Sequence, residues 1–261
     1  MPDVVVIIPA RYESTRFPGK PLANATGRPM IQHVHDAAAA SSAVSRVVIA
    51  TDDERIATAV RGFGGEALLT SPEHPNGTSR LAEAADILKL SDDSIVVNAQ
   101  GDEPELNPAL INAAVDVLLG AAATGRDAPM ATIASPFAPD ENPADPNIVK
   151  VVMRCDGSAL YFSRALIPHT VFGDGSAGDA AAQPLKHVGL YAYRREFLRE
   201  YIALEPTPLE QAERLEQLRA LEHGREIVVA VMDVRHHGID TPAQYEAFVA
   251  RWKARAAATG R

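Results

Sequence analysis

The sequence predicts an α/β fold: a mixed, mostly parallel sheet flanked by helices, with a smaller inserted lobe. Three observations carry that expectation. Val4–Ile8, Arg46–Ala50 and Ser94–Asn98 are short, largely apolar runs rich in β-branched residues, the pattern of strands buried on both faces. A loop and a helical segment follow each of them, which is the rhythm of parallel strands with crossover helices. The chain is also long enough, at 261 residues with 46% apolar, to bury a sizeable core.

The elements follow in order. Val4–Ile8 is a strand and Pro9–Pro21 a loop. Pro29–Ala40 is a helix with Pro at its start and an Ala run behind it. Arg46–Ala50 is the second strand. Asp52–Arg61 suits a helix begun by an Asp cap and ended by Gly62, Gly64 and Gly65. Ala67–Leu69 is a short strand and Thr78–Leu88 an amphipathic helix. Ser94–Asn98 runs into the Gln100–Pro104 turn, and Leu106–Leu119 is a helix with an apolar face. Pro136–Pro146 reads as a Pro-rich connection. Val149–Met153, Ala159–Phe162 and Val188–Tyr193 read as strands, and Phe172–Pro184 as an Ala/Gly-rich loop. Leu209–Leu221 is a helix, Ile227–Met232 a strand and Pro242–Ala257 a terminal helix. No repeat or linker separates two independent domains, so residues 1–261 are expected to form one domain with a lobe over 136–230.

Composition narrows the function. The chain carries 34 Asp and Glu against 25 Lys and Arg, a formal charge of −9. That balance argues against nucleic acid polymers and anionic membranes as partners. No stretch approaches the ~18–20 apolar residues of a membrane span, and the first apolar run is too short for a signal peptide. The single cysteine, Cys155, cannot form an intrachain disulfide and reads as a small buried residue; a cytoplasmic location is expected.

In a parallel sheet, ligands bind beyond the carboxyl ends of the strands. The loop after the first strand holds Arg11, Arg16 and Lys20 with Ser14, Thr15 and Gly19. Residues 1–30 carry four cations against two acids, a balance of +2, which leaves −11 for the rest. Such a loop can cradle phosphate oxygens or be merely a solvated basic segment. It is neither a Walker A loop nor a dinucleotide-binding Gly-rich turn. The turn Asn98-Ala99-Gln100-Gly101-Asp102-Glu103-Pro104 places acids where a hard cation and a phosphate meet, unless Asp102 simply caps the next helix. Asp240 likewise either caps the terminal helix or serves as a second metal carboxylate. Gly77-Thr78-Ser79-Arg80 opens a helix whose free N–H groups suit an anion or a base edge. His236 and His237 are poor co-ligands, because neighbours on an extended segment point to opposite sides.

The first loop and the strand before it, Ile8-Pro9-Ala10-Arg11-Tyr12 with Ser14-Thr15-Arg16 and Pro18-Gly19-Lys20-Pro21-Leu22, resemble the 3-deoxy-manno-octulosonate (Kdo) cytidylyltransferases. Further matches run in order: Ala50-Thr51-Asp52, Gly77-Thr78-x-Arg80-Leu81-Ala82-Glu83, Val97-Asn98-x-Gln100-Gly101-Asp102-Glu103-Pro104 and Val149-Lys150-Val151-Val152. After them come Ala159-Leu160-Tyr161-Phe162-Ser163-Arg164, Lys186-His187-Val188-Gly189-Leu190-Tyr191-Ala192-Tyr193, Leu215-Glu216-Gln217-Leu218-Arg219 and Gly238-Ile239-Asp240-Thr241-Pro242. Ser79 stands where the family is expected to carry an acid, and Asn76 where it carries Ser.

The resemblance implies a Rossmann-like fold of the nucleotide-diphospho-sugar transferase type. It implies a reaction, CTP plus Kdo giving CMP-Kdo and pyrophosphate, for lipopolysaccharide synthesis, with Mg²⁺ as cofactor and a homodimer as the assembly. Arg11, Lys20 and Asp102 would be the catalytic set, with Asp102 and Asp240 as Mg²⁺ carboxylates. Ala10, Arg11, Lys20, Thr51, Asp52, Gly77 and Arg80 would bind the nucleotide. Gln100, Arg164, His187, Tyr191, Glu216 and Gln217 would line the sugar pocket, with the 136–230 lobe serving the sugar or the dimer. The rivals are a CMP-sialic acid synthetase, which generally lacks the continuation after Ile-Pro-Ala-Arg, and a glycosyltransferase, which would present Asp-x-Asp.

Overall fold

The computed structural model describes residues 2–169, 183–235 and 238–258. These form two compact units, Met1–Ile111 with His236–Arg261, and Asn112–Arg235. The second unit is wider than the expected lobe over 136–230.

The first unit is built on four parallel strands: β1 (Val4–Ala10), β2 (Arg46–Thr51), β3 (Glu66–Leu69) and β4 (Ile95–Asn98), in spatial order β3-β2-β1-β4. Ile7, Ile8, Ile49, Val96 and Val97 are fully shielded from solvent, as strands covered on both faces require. The register pairs Ala10 with Thr51 and Ile7 with Asn98, so the carboxyl ends of β1, β2 and β4 open at one edge. Helices α1 (Met30–Ala39), α2 (Glu54–Gly62) and α3 (Gly77–Ile87) return the chain between these strands.

The helix expected to begin at Asp52 is capped one residue later. Asp53 accepts the Arg55 N–H at 2.8 Å, and the Arg55 guanidinium bonded to it holds its carboxyl below the usual carboxylate range. That shift of one position frees Asp52 for another role. Asn76 caps α3 by accepting the Ser79 N–H at 2.9 Å, so the departure from Ser preserves the cap. The terminal helix α8 (Pro242–Ala258) docks through Tyr245, Phe248 and Val249 onto Met30 and Ile239, with Phe17, Ala23 and Trp252 around the cluster.

In the second unit, after α4 (Pro108–Ala123), β5 (Met130–Pro136) lies antiparallel to β8 (Leu185–Arg194) and parallel to β9 (Ile227–Val231). β6 (Lys150–Met153) and β7 (Ala159–Ser163) form an antiparallel pair, and β6 also pairs with β8. Three elements among the described residues lie outside the expected order: a 3₁₀ turn at Lys20–Leu22 within the expected first loop, β5, and the helix α5 (Arg195–Tyr201). The helix expected over 209–221 is two, α6 (Pro208–Glu213) and α7 (Gln217–Glu222), broken at Arg214, whose backbone is left-handed with φ 54°. Cys155 is exposed rather than buried, because it lies in the turn between β6 and β7. His236 and His237, and residues 172–182 of the expected Ala/Gly-rich loop, lie outside the described residues. Among the described residues, no helix is long and apolar enough to cross a membrane.

Candidate active site

At the carboxyl edge of the first unit, three charged side chains meet. The Lys20 ammonium donates to Asp102 Oδ2 at 2.8 Å and to the Ile239 carbonyl at 2.7 Å, and it stands 3.4 Å from Asp240 Oδ1. Arg16 reaches the same Asp240 oxygen at 3.0 Å. Residues 82 and 220 positions apart in sequence thus share one cation.

Neither carboxylate is occupied with capping a helix. Thr241 takes that task for α8, its hydroxyl accepting the Gln244 N–H at 3.3 Å, while Gln244 Oε1 accepts the Asp240 N–H at 2.8 Å. Ahead of α4, Asn107 accepts the Ala109 N–H at 3.0 Å. Both acids are left facing the lysine, so neither has the capping role.

Gly101 makes the acidic turn possible. A Cβ there would stand 2.7 Å from the Pro9 carbonyl oxygen, so only glycine lets this turn lie against the end of β1. The main chain adds a lock, with the Ile239 N–H donating to the Asp102 carbonyl at 2.8 Å.

The cationic loop is folded on itself. The Gly19 N–H donates to the Tyr12 carbonyl at 2.8 Å, with Gly19 in the left-handed region at φ 69°. On its other side the Tyr12 ring lies under the Arg55 guanidinium, 3.4 Å from carbon to ring centroid. Arg11 donates to the His74 carbonyl on the loop before α3. That loop is held by Glu83, which accepts the Ser71 N–H at 2.9 Å and pairs with the His74 ring. An open cavity of about 840 Å³ lies here, lined by Arg11, Tyr12, Ser14, Asp52, Asp53 and Arg55. A second, of about 230 Å³, is lined by Ala10, Arg11, Lys20, Gln100, Gly101 and Asp102.

Thr51 is buried at the end of β2, and the freed Asp52 next to it accepts from Arg80 at 2.9 Å. Arg80 has no exposed surface and donates also to the Thr70 hydroxyl at 2.6 Å. It stands as a buried strut beneath the strand ends, paired as a desolvated cation must be.

In the second unit, the β5–β8 ladder slips between Thr132 and Ile133, so that β8 carries two extra residues, Gly189 and Leu190. The Thr132 hydroxyl stitches this bulge by donating to the Leu190 carbonyl at 2.8 Å, and it lies 2.9 Å from His187 Nε2. With the hydroxyl proton on a carbonyl, the ring proton belongs on Nε2. His187 packs edge-on against Phe162 and beside Tyr191, their centroids 4.9 and 5.3 Å away. Burial, aided by the charge of Glu216, pushes the Tyr191 phenol well up, so it stays a neutral donor. The Glu216 carbonyl accepts from Tyr201 at 2.8 Å, and Gln217 is buried with its Nε2 unpartnered.

Comparison with known proteins places this geometry. A family model described as Cytidylyltransferase matches residues 5–227. The 3-deoxy-manno-octulosonate cytidylyltransferase of Syntrophobacter fumaroxidans is 52% identical over 246 residues, 94% of this chain and 95% of that protein. The enzyme of the same name from Vibrio cholerae is 48% identical, over 92% of this chain and 94% of its own. This chain belongs to the 3-deoxy-manno-octulosonate cytidylyltransferase family.

A solved CMP:2-keto-3-deoxy-manno-octonic acid synthetase complexed with CTP superimposes with a TM-score of 0.85 at 40% identity, covering 97% of this chain and 99% of its own. A cytidylyltransferase from Leptospira borgpetersenii, at 16% identity and TM-score 0.59, shares the fold. The mixed, mostly parallel sheet expected from the sequence is the fold of this cytidylyltransferase family.

Within the first unit, Ala10, Arg11, Lys20, Thr51, Asp52, Gly77, Arg80, Gln100, Asp102 and Asp240 all lie at or beneath the carboxyl edge or on the loops it joins. Arg164, His187, Tyr191, Glu216 and Gln217 belong to the second unit. Sequence reasoning singled out neither Gly101 nor Thr132 for a role, nor Glu213 and Lys150, although three of the four stand within or beside quoted motifs. Isolated polar side chains in strands and turns carry no periodic signal; only the partner across the fold reveals them.

The donor set fits Mg²⁺ only in part by itself. Among the described residues, no group of three or more His, Cys, Asp and Glu is placed to hold a metal. Two carboxylates already converging on one cation, completed by phosphate oxygens and water, is nevertheless how Mg²⁺ is commonly held beside a nucleotide.

Proposed function

We propose that this chain transfers the cytidylyl group of CTP to the anomeric hydroxyl of 3-deoxy-manno-octulosonate and releases pyrophosphate. The observation that carries the reading is the meeting of Lys20, Asp102 and Asp240 at the carboxyl edge, beside a folded cationic loop, in a chain with full-length relatives of that name.

Attack on the α-phosphorus and departure of pyrophosphate require alignment and charge neutralisation more than a covalent protein nucleophile. Arg11, fixed to the His74 carbonyl, and Lys20 would bind the triphosphate and stabilise the negative charge that gathers on the leaving group. Thr51, the α3 N-terminus at Gly77 and the Asp52–Arg80 pair would hold the cytidine. Asp102 and Asp240 would hold Mg²⁺, which when bound supplies Lewis-acid neutralisation between two anionic substrates. In the second unit, Arg164 and His187 suit the carboxylate of the sugar acid, while Tyr191, Glu216 and Gln217 suit its hydroxyls. The reading extends to a homodimer and a cytoplasmic setting, with which the free, exposed Cys155 agrees.

The test is pyrophosphate release from CTP, Mg²⁺ and the sugar acid. Release with 3-deoxy-manno-octulosonate is the expected result. Release with sialic acid instead would overturn the substrate, and release undiminished by EDTA would overturn the metal.

A further inference from the structure

We propose that Glu213, assisted by Lys150, is a positioning residue for the sugar acid: it locks Arg164 into the geometry that receives the substrate carboxylate. The inference rests on the sugar-binding reading of Arg164 given above.

Arg164 follows directly on the end of β7, and its main chain, Nε and Nη1 are all held. Its main-chain N–H donates to Glu213 Oε2 at 2.9 Å, and its Nε donates to the Glu213 carbonyl at 2.8 Å. Its Nη1 donates to the Pro146 carbonyl at 3.2 Å, and its own carbonyl accepts from Lys150 Nζ. The other Glu213 oxygen accepts from the Ser163 hydroxyl at 2.6 Å and the Tyr161 hydroxyl at 3.3 Å. One residue at the end of α6 thus grips Tyr161, Ser163 and Arg164, at and just past the β7 terminus, from about fifty positions away in sequence.

Lys150 closes the arrangement from the other side. Its side chain is fully buried, with no carboxylate partner among the described residues, and it donates to the Ile148 carbonyl at 2.6 Å and the Asp145 carbonyl at 3.0 Å besides that of Arg164. Burying an ammonium on main-chain carbonyls is costly, and here it fixes the peptide that carries Arg164.

The consequence is preorganisation. A free arginine side chain loses rotamer entropy when it is ordered. In this chain Nε is committed to Glu213 and Nη1 to Pro146, so that cost falls on folding rather than on ligand binding. The guanidinium keeps Nη2 and a second Nη1 hydrogen for the two oxygens of a carboxylate. A glutamate that merely ended α6 would stabilise the protein without acting through Arg164, and the two roles are separable.

The experiment is a double-mutant cycle of E213Q and R164A, followed by pyrophosphate release and thermal melting. E213Q is expected to raise KM for the sugar acid about tenfold and to leave KM for CTP within about twofold. In the R164A background it is expected to add nothing further. E213D, which keeps the charge, is the second variant should E213Q fail to fold, and it is expected to show the same pattern more weakly. Equal rises in both KM values, or losses that add in the double variant, would overturn the positioning role. No release by the wild-type protein with this sugar acid would overturn the function itself, and the inference with it. Release by wild type with KM for the acid unchanged in E213Q would overturn the inference alone.

Discussion

Lys20 stands between two carboxylates that would otherwise repel each other across the mouth of the site. Its ammonium holds the acids together and, in the proposed reaction, would also meet the phosphates. Lys20→Met is expected to lower turnover at least ~100-fold, the scale of losing one charged transition-state contact. The initial rate of pyrophosphate release measures this, and a loss under tenfold in a folded protein refutes the role. Gly101 is a purely steric case. Gly101→Ala drives a Cβ against the Pro9 main chain, so a cost of about 1–3 kcal/mol is expected together with slower turnover, because Asp102 is carried on the displaced turn. Urea denaturation and the rate together check it; an unchanged midpoint and rate would show that the turn yields freely. Gly101 belongs to a motif visible in the sequence, but the reason it must be glycine lies 92 residues earlier, in the carbonyl of Pro9.

At the scale of elements, the first half of the chain was the more legible. Strands buried on both faces read as unbroken apolar runs, and β1, β2 and β4 fall where those runs do. β5 was hidden because Met130-Ala131-Thr132-Ile133-Ala134-Ser135 mixes small and polar residues without alternation, its Thr132 being satisfied by the bulge of β8 rather than by solvent. The break between α6 and α7 was hidden because Arg214 is an ordinary helix former by propensity. Only packing holds it left-handed, with Glu213 committed to β7 on one side and Leu215 buried on the other. The α1–α8 contact yields a pH prediction. His33 lies edge-on to Phe248 and Trp252, at 5.2 and 4.4 Å between centroids. Burial, with the Arg28 charge, holds its pKa below the ordinary value, so the folded state binds a proton less readily than the unfolded one. Stability from this group is thus full above about pH 6.5 and declines as pH falls from there toward the lowered folded value. The wild-type melting temperature is expected to fall more between pH 7.5 and 5.5 than that of His33→Leu; parallel curves would refute the assignment.

At the scale of the whole molecule, a net charge of −9 coexists with two proposed anionic substrates. The cations that would meet them in the proposed reaction are local: Arg11, Arg16 and Lys20 on one loop, and Arg164 in the other unit. CTP with Mg²⁺ is expected to stabilise the protein by about 2.7 kcal/mol at a hundredfold excess over Kd. Thermal melting with and without EDTA measures this, and a shift unaffected by chelation would show that the nucleotide binds without the metal.

The order of strands and helices in the first unit and the family itself were determined by the sequence, because they rest on contiguous runs and local motifs. What only the tertiary structure decided is which groups are free to act. Asp102 and Asp240 each had a capping role open to them until Asn107 and Thr241 were seen to take it. Asp52 had a capping role until Asp53 took it, and it pairs with Arg80 instead. Glu213 had no assigned role until Arg164 was found against it. A side chain's chemistry is written in its type, but its availability is set by the hydrogen bonds its neighbours already satisfy, and those neighbours are assembled only when distant segments fold together.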